Sequence, residues 1–216
     1  MSEVNLLSSL PRGSRNLSAR SIAKSKEVIR ISSEYGAMYF DGPREYGYGG
    51  YYYDGRWKSV AVDIIKHFSL KKGDRILDVG CAKGFLVKEL VALGMDAYGL
   101  DISSYALMNC EPEVVGRLHH GTAQQLPFPD GSFSAVLAIN TLHNLKRDQC
   151  KVAISEIERL APGKGFVQVD SFLTHEQKVV FESWVLTAQF YDYPQGWKLL
   201  FDEAGYTGDY FWTIIE

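Results

Sequence analysis

An α/β fold, with a mostly parallel sheet covered by helices on both faces, is what this chain of 216 residues predicts, and three observations carry the expectation. Short apolar, partly β-branched runs alternate along the chain with longer stretches whose apolar residues recur at helical spacing. The clearest run, Ile76-Leu77-Asp78-Val79, opens onto a glycine turn from Gly80 to Gly84 and then onto Phe85, Leu86 and Leu90, an amphipathic helix. A second run, Tyr98-Gly99-Leu100, ends in Asp101, which stands 23 residues after Asp78. Strand, glycine turn, helix and acid-tipped strand together build a nucleotide pocket at the carboxyl edge of a parallel sheet.

Taken in order, the first thirty-one residues hold six Lys or Arg against two Glu and are rich in serine, a composition that also occurs in organelle transit peptides. The reading preferred here is a flexible arm followed by a helix over about Ser21–Tyr35. Asp41–Trp57 is an aromatic–glycine loop. Trp57–Phe68 carries Val60, Ile64, Ile65 and Phe68 at helical spacing. Strands are expected over Arg75–Val79, Asp96–Leu100, Val114–His119, Phe133–Ile139, Gly165–Asp170 and Tyr210–Ile215. Helices are expected between them, over Gly84–Leu93, Ser104–Asn109, Arg147–Leu160, His175–Gln189 and Pro194–Ala204, with Pro162-Gly163 and Ala204-Gly205 as stops. The apolar set on His175–Gln189 is wide, which points first to core packing and second to a dimer surface or an acceptor lid. The division expected is an N-terminal extension, residues 1–55, and a cofactor-binding domain, residues 56–216.

A formal net charge of −3 supplies no field that would gather nucleic acid or an anionic membrane. No apolar stretch approaches the ~20 residues needed to span a bilayer. Cys81, Cys110 and Cys150 are odd in number and scattered, so they read as reduced thiols of a cytoplasmic protein. His119 and His120 are adjacent, which on a strand turns them to opposite faces, and no ligand cluster has metal spacing, so no metal is expected.

The chemistry of the pocket follows from its acids. In dinucleotide folds, G-x-G-x-x-G admits a pyrophosphate to a helix N-terminus. Here the pattern is D-x-G-x-x-x-G, and Asp78 before the turn suits an ammonium group better than a diphosphate. Asp101 can accept from both hydroxyls of a ribose, or merely cap the next helix, as Ser103 also can. In the aromatic loop, five of the thirteen tyrosines fall between Tyr46 and Tyr53, among Gly47, Gly49 and Gly50. Such a loop can close over a ligand, and Tyr46, Tyr48, Tyr51 and Tyr53 are the substrate-binding candidates. A nucleic-acid-binding or self-associating segment and a plain surface loop are the other readings.

Asp78–Gly84, Gly99–Ser103 and Gly121–Leu145 are the stretches in which the chain resembles the class I S-adenosylmethionine-dependent methyltransferases, over about residues 56–216. The resemblance implies a Rossmann-like, doubly wound, mostly parallel seven-stranded sheet whose last strand inserts antiparallel. It implies S-adenosylmethionine as cofactor, held by Asp78, Gly80, Cys81, Ala82, Gly84, Asp101, Ile102, Thr122, Ala123 and Asn140. Thr122 replaces an acid that in the family commonly meets the adenine amino group, and Ser134 replaces another after Phe133. Arg56, ahead of the first strand, matches the family's donor to the methionine carboxylate, with a salt bridge to Asp54 or Asp63 as the alternative. An in-line methyl transfer leaves orientation and exclusion of water as the protein's task. His143 follows the fourth strand and is the candidate general base, or else a structural histidine; Asp170, at the end of the fifth, is the second candidate, or else a partner for a tyrosine hydroxyl. Asn140-Thr-Leu-His does not match the Asn/Asp-Pro-Pro-Tyr/Phe signature of base-amino methylation. The expected acceptor is a small molecule such as a sugar, nucleotide-sugar or related metabolite, with a protein or peptide acceptor, a non-catalytic scaffold and a nicotinamide dehydrogenase as rivals. A homodimer is left open.

Overall fold

A computed structural model describes residues 1–11 and 21–214. Six strands form one sheet: β1 Arg75–Val79, β2 Asp96–Asp101, β3 Leu118–His120, β4 Ala135–Ile139, β5 Gly165–Ser171 and β6 Asp209–Ile214. Their order is β3-β2-β1-β4-β5-β6, and every pairing is parallel. The helices are α1 Lys26–Ser32, α2 Ala37–Phe40, α3 Trp57–His67, α4 Phe85–Ala92, α5 Ser104–Met108, α6 Arg147–Leu160, α7 His175–Trp184 and α8 Pro194–Glu203. Chain order reverses between β1 and β4, and the crevice outside the carboxyl ends of the strands at such a point is where α/β sheets bind ligands.

Period-two alternation along the central strands divides the core in two. Leu77, Val79, Val136, Ala138, Val167 and Val169 face one layer, closed by α6 and α8 through Ile154, Ile157, Trp197 and Phe201. Ile76, Leu137, Ile139 and Phe166 face the other, closed by α3 and α4 through Val60, Ile64, Leu86 and Leu90. Each such aliphatic side chain contributes about 1.5–3 kcal/mol by leaving water. Helix α6 shows the pattern at its plainest. Cys150, Ala153, Ile154, Ile157 and Leu160 line its buried face, and the Lys146 N–H donates to the Gln149 side chain at 3.1 Å at its start.

Four expectations are corrected. The sheet has six strands among the described residues, where seven were implied, and β6 runs parallel to β5, from Phe166 opposite Asp209 to Ser171 opposite Ile214. The helical crossover through α8 is what returns the chain in the same direction. Strand β3 begins only at Leu118, because Pro112–Val114 forms a 3-10 turn and Gly116 follows at φ 83°. Helix α7 ends at Trp184, and the chain beyond it turns to hydrogen-bond the loop after β4, Gln189 and Phe190 donating to the His143 carbonyl at 2.9 and 3.1 Å.

The N-terminal arm is the fourth. The Val4 N–H donates to the Tyr210 carbonyl at 2.9 Å, the Tyr210 N–H to the Ser2 carbonyl at 3.1 Å, and Leu6 is buried with Val60 and Ile64. These residues cover the free edge of β6, which would otherwise present unpaired backbone groups. Residues 12–20, also assigned to the arm, lie outside the described residues, and the helix expected over Ser21–Tyr35 runs from Lys26 to Ser32, capped by the Ser25 side chain. No helix among the described residues is long and apolar enough to cross a membrane. Leu6→Ala should therefore lower the unfolding free energy by about 2 kcal/mol in urea titrations. An unchanged midpoint would return the segment to a loose arm.

Candidate cofactor and acceptor site

The turn between β1 and α4 has three residues in left-handed backbone conformations, Gly80, Ala82 and Gly84. Gly80, at φ 82°, lies against the Thr141 side chain, and any Cβ there would collide with it. Ala82 adopts φ 51°, a region costing a side-chained residue roughly 1–2 kcal/mol. Its N–H donates to Asp101 Oδ2 at 2.7 Å, while the Ser103 N–H donates to Asp101 Oδ1 at 2.8 Å. Asp101 thus pins the turn and the start of α5 together. Ser103 in turn caps that helix by accepting the Ala106 N–H, so the cap is made by Ser103 and not by Asp101.

A cleft of about 670 Å³ opens above this turn. Gly80, Ala82, Asp101, Ile102, Thr122, Ala123 and Asn140 line it, so seven of the expected cofactor residues meet in one place. Thr141, Asn144 and Leu145 close one end, and Tyr35, Tyr39, Phe40 and Tyr48 form a roof. Asp78, Cys81, Gly84 and Arg56 are outside the lining. Gly84 caps α4 at φ 77°, and Cys81 is buried, its thiol pushed up by burial and by Asp78 and Asp101. All three cysteines are unpaired.

Arg56 stands apart. Its guanidinium is half exposed and grips Asp54, Nη2 to Oδ2 at 2.5 Å and Nε to Oδ2 at 2.7 Å, the ion pair expected as the alternative to a cofactor contact. The tyrosine segment is also redistributed. The Tyr48 N–H donates to the Tyr39 carbonyl at 2.8 Å, folding the segment back so that Tyr48 and Tyr39 share the roof. Tyr51 stacks on Phe85 at 4.7 Å, Tyr53 donates to the Glu89 carboxylate, and Tyr46 closes a turn on the Pro43 carbonyl. Three of the four substrate-binding candidates therefore serve packing and turns, while Tyr35 and Tyr39 face the cleft.

Asp78 is buried on the sheet face that α3 and α4 cover, one residue before the lining. Burial, then the neighbouring Asp101 charge, raises its carboxyl to about 7, and no hydrogen bond offsets them. Burial raises Asp101 as well, partly countered by the N–H groups of Ser103 and Ala82. A buried carboxylate short of a partner, next to a second one, fits an incoming cation. S-adenosylmethionine carries such a cation in its ammonium, and its ribose supplies donors for Asp101.

His143 and Asp170 are outside the cleft lining, though His143 adjoins the lining residue Asn144 in the chain; His143 is buried and its Nδ1 accepts the Asp170 N–H at 3.4 Å. With Nδ1 accepting, the neutral ring carries its hydrogen on Nε2. Asp170 Oδ1 and Asn144 Oδ1 are buried without a hydrogen-bond partner among the described residues. Sequence reasoning overlooked Gln168. It is fully buried in β5, its Oε1 accepts the Asn140 N–H at 2.8 Å and its Nε2 donates to Thr213 at 2.6 Å, holding Asn140 at φ 54°. The available signal was a lone amide in the apolar run Phe166-Val-Gln-Val.

The Asp78 shift has a stability consequence. Its folded-state value lies above the unfolded one, so the penalty is absent below the ordinary carboxylate range, grows as pH rises from about 4, and is complete above about 7. Asp78→Asn should raise the unfolding free energy at pH 8 by on the order of 2–4 kcal/mol and much less at pH 4.5, read by chemical denaturation. Equal effects at both pH values would contradict a buried, ionisable Asp78.

Comparison with known proteins agrees with this geometry. The methyltransferase domain family matches residues 77–169. An uncharacterized methyltransferase of Synechocystis sp. is 30% identical over 155 residues, 66% of this chain and 71% of that protein. Demethylmenaquinone methyltransferase of Geobacillus kaustophilus is 37% identical over 90 residues, 38% of this chain, and the chain spans only 37% of that relative's length. Among solved structures, the YcgJ protein of Bacillus subtilis shares the fold, with a TM-score of 0.50 at 18% identity over 67% of this chain and 66% of that one. With the acids of β1 and β2 at the switch point and a match spanning most of the sheet, the chain belongs to the class I S-adenosylmethionine-dependent methyltransferases.

Proposed function

We propose that this protein transfers the methyl group of S-adenosylmethionine to a small acceptor bearing an O–H or N–H group. The observation that carries the reading is the pair of buried acids at the open ends of β1 and β2, Asp78 without a partner and Asp101 in the cleft wall. Asp101 would hold the ribose hydroxyls, Ile102, Thr122 and Ala123 the adenine end, and Gly80 and Asn140 the amino-acid end, with Asp78 drawing in the ammonium from behind Gly80. When bound, the cofactor supplies a sulfonium-activated methyl group. The chain's part is to orient, to exclude water beneath Tyr35, Tyr39 and Tyr48, and to take up the acceptor's proton. In this reading residues 1–55 are an extension of the domain formed by residues 56–216, and of that extension Tyr35, Tyr39, Phe40 and Tyr48 roof the cleft.

On the acceptor side, Asp170 is a better base than His143. The Nδ1 lone pair of His143 is used by the Asp170 N–H, and its other nitrogen is then a donor. Asp170 Oδ1 and Asn144 Oδ1 both await donors, which favours a hydroxyl or amine over a carboxylate acceptor. A sugar or nucleotide-sugar acceptor drew its support from the tyrosine segment, and that support weakens because Tyr46, Tyr51 and Tyr53 do not face the cleft. The relatives' acceptors include demethylmenaquinone, by the name of one of them.

Incubating the protein and labelled cofactor with a metabolite extract, then identifying labelled products by mass, tests the reading directly. Absence of S-adenosylmethionine binding would end it. Asp170→Asn should keep cofactor affinity and lower kcat by about 100-fold or more, with His143→Ala less damaging. The reverse ranking would restore His143 as the base. Cofactor affinity should also rise between pH 6 and 7.5, because binding an ammonium favours ionised Asp78, and calorimetry in two buffers should show proton release.

A further inference from the structure

The roof of the cleft is tied to the glycine turn by one partly buried polar cluster that the proposed chemistry does not use. Lys83, between Gly80 and Gly84, is 7% exposed, and its ammonium donates to both Asp41 carboxylate oxygens, at 2.8 and 2.7 Å, and to the Tyr51 carbonyl at 3.0 Å. Asp41 follows α2 directly, so it stands at the root of the roof segment. It also accepts from the Tyr105 hydroxyl at 2.7 Å and from the Tyr51 N–H at 3.2 Å. Burial alone would raise the Asp41 carboxyl, but the bonds from Lys83, Tyr105 and Tyr51 outweigh it and hold it below the ordinary carboxylate range. Around this cluster the contacts are apolar: Phe40 and Ala82 share a small core with Ala106, and Phe40 packs on Tyr48 and Tyr51.

We infer that Asp41 is a positioning residue for cofactor binding, a latch that closes Tyr39, Phe40 and Tyr48 over the cleft through its ion pair with Lys83 of the glycine turn. Resting on the cofactor reading above, this assigns a gate as well as a pocket. The roof shares residues with the cleft lining, so displacing it opens the cleft further and frees a ligand held there. Lys83 sits on the turn that lines the cleft floor, so roof closure and turn geometry are coupled through one side chain. A fully exposed pair would contribute little, but a buried one whose partner is removed leaves an uncompensated charge, and the loss shows chiefly in dissociation rates.

The test uses the full chain. In Asp41→Asn, dissociation of S-adenosylmethionine, followed by stopped-flow fluorescence, should accelerate about tenfold or more, while Asp41→Glu restores part of the wild-type rate. Without any cofactor, trypsin should cut at Arg44 in the roof segment about tenfold faster in Asp41→Asn than in wild type, since cleavage reads the opened population. The proteolysis arm needs no ligand: faster cutting in a protein that never binds the cofactor upholds the latch and removes the methyl-transfer reading instead. If Asp41→Asn does not fold, Tyr105→Phe, which deletes one donor to Asp41, should shift both rates several-fold in the same direction. Wild-type dissociation and wild-type cutting in the folded variants would overturn the proposal.

Discussion

Two carboxylates placed side by side at the ends of neighbouring parallel strands set the terms for everything around them. Parallel pairing of β1 and β2 puts Val79 opposite Leu100, so Asp78 and Asp101 come within electrostatic reach whatever the rest of the chain does. Low dielectric makes each resist ionisation, and the second charge makes the first worse. The protein relieves Asp101 with two backbone N–H groups and leaves Asp78 unrelieved. That inequality is what turns a strained corner of the sheet into a site: the residual field favours a cation, and the hydrogen bond from Ala82 fixes the turn on which the cation's carrier would rest.

Around those acids the structure spends side chains on enclosure. An aromatic roof lowers the dielectric further, and the cluster of Lys83, Asp41 and Tyr105 joins the roof to the floor. A second set of polar groups holds the far wall. Gln168, inside β5, reaches Asn140 on one side and Thr213 of β6 on the other, so the loop after β4 is positioned by a core amide and not by loop contacts alone. The cofactor end and the acceptor end thus rest on different supports, the first on backbone geometry and the second on buried side chains.

In the proposed reading, the acceptor end also separates positioning from proton transfer. His143 is fixed by the Asp170 N–H on its ring, and its backbone carbonyl receives the segment after α7. Asp170 keeps one oxygen unpartnered. A histidine placed after the fourth strand is attractive as a base on residue type, but hydrogen-bond bookkeeping gives the vacant lone pair to the carboxylate.

From the sequence alone came the α/β class, strand β1 and helix α6 with their observed bounds, and the seven cleft residues Gly80, Ala82, Asp101, Ile102, Thr122, Ala123 and Asn140. The class and the two elements were legible because hydrophobic periodicity and turn residues are local signals, Asp101 because it ends a strand–turn–helix–strand unit, and the remaining cleft residues through the resemblance to a known family. Direction and count of strands at the β6 edge were not, since pairing partners are chosen by crossover geometry and by competition for an edge. Nor was the docking of Ser2–Val4 on β6, which joins the two ends of the chain. The exposed Arg56, the inward Tyr39, and the joining of Asp41 to Lys83 depend on where distant segments meet. Only the tertiary structure decides that, because burial, not residue type, determines whether a charge finds water or must find a partner.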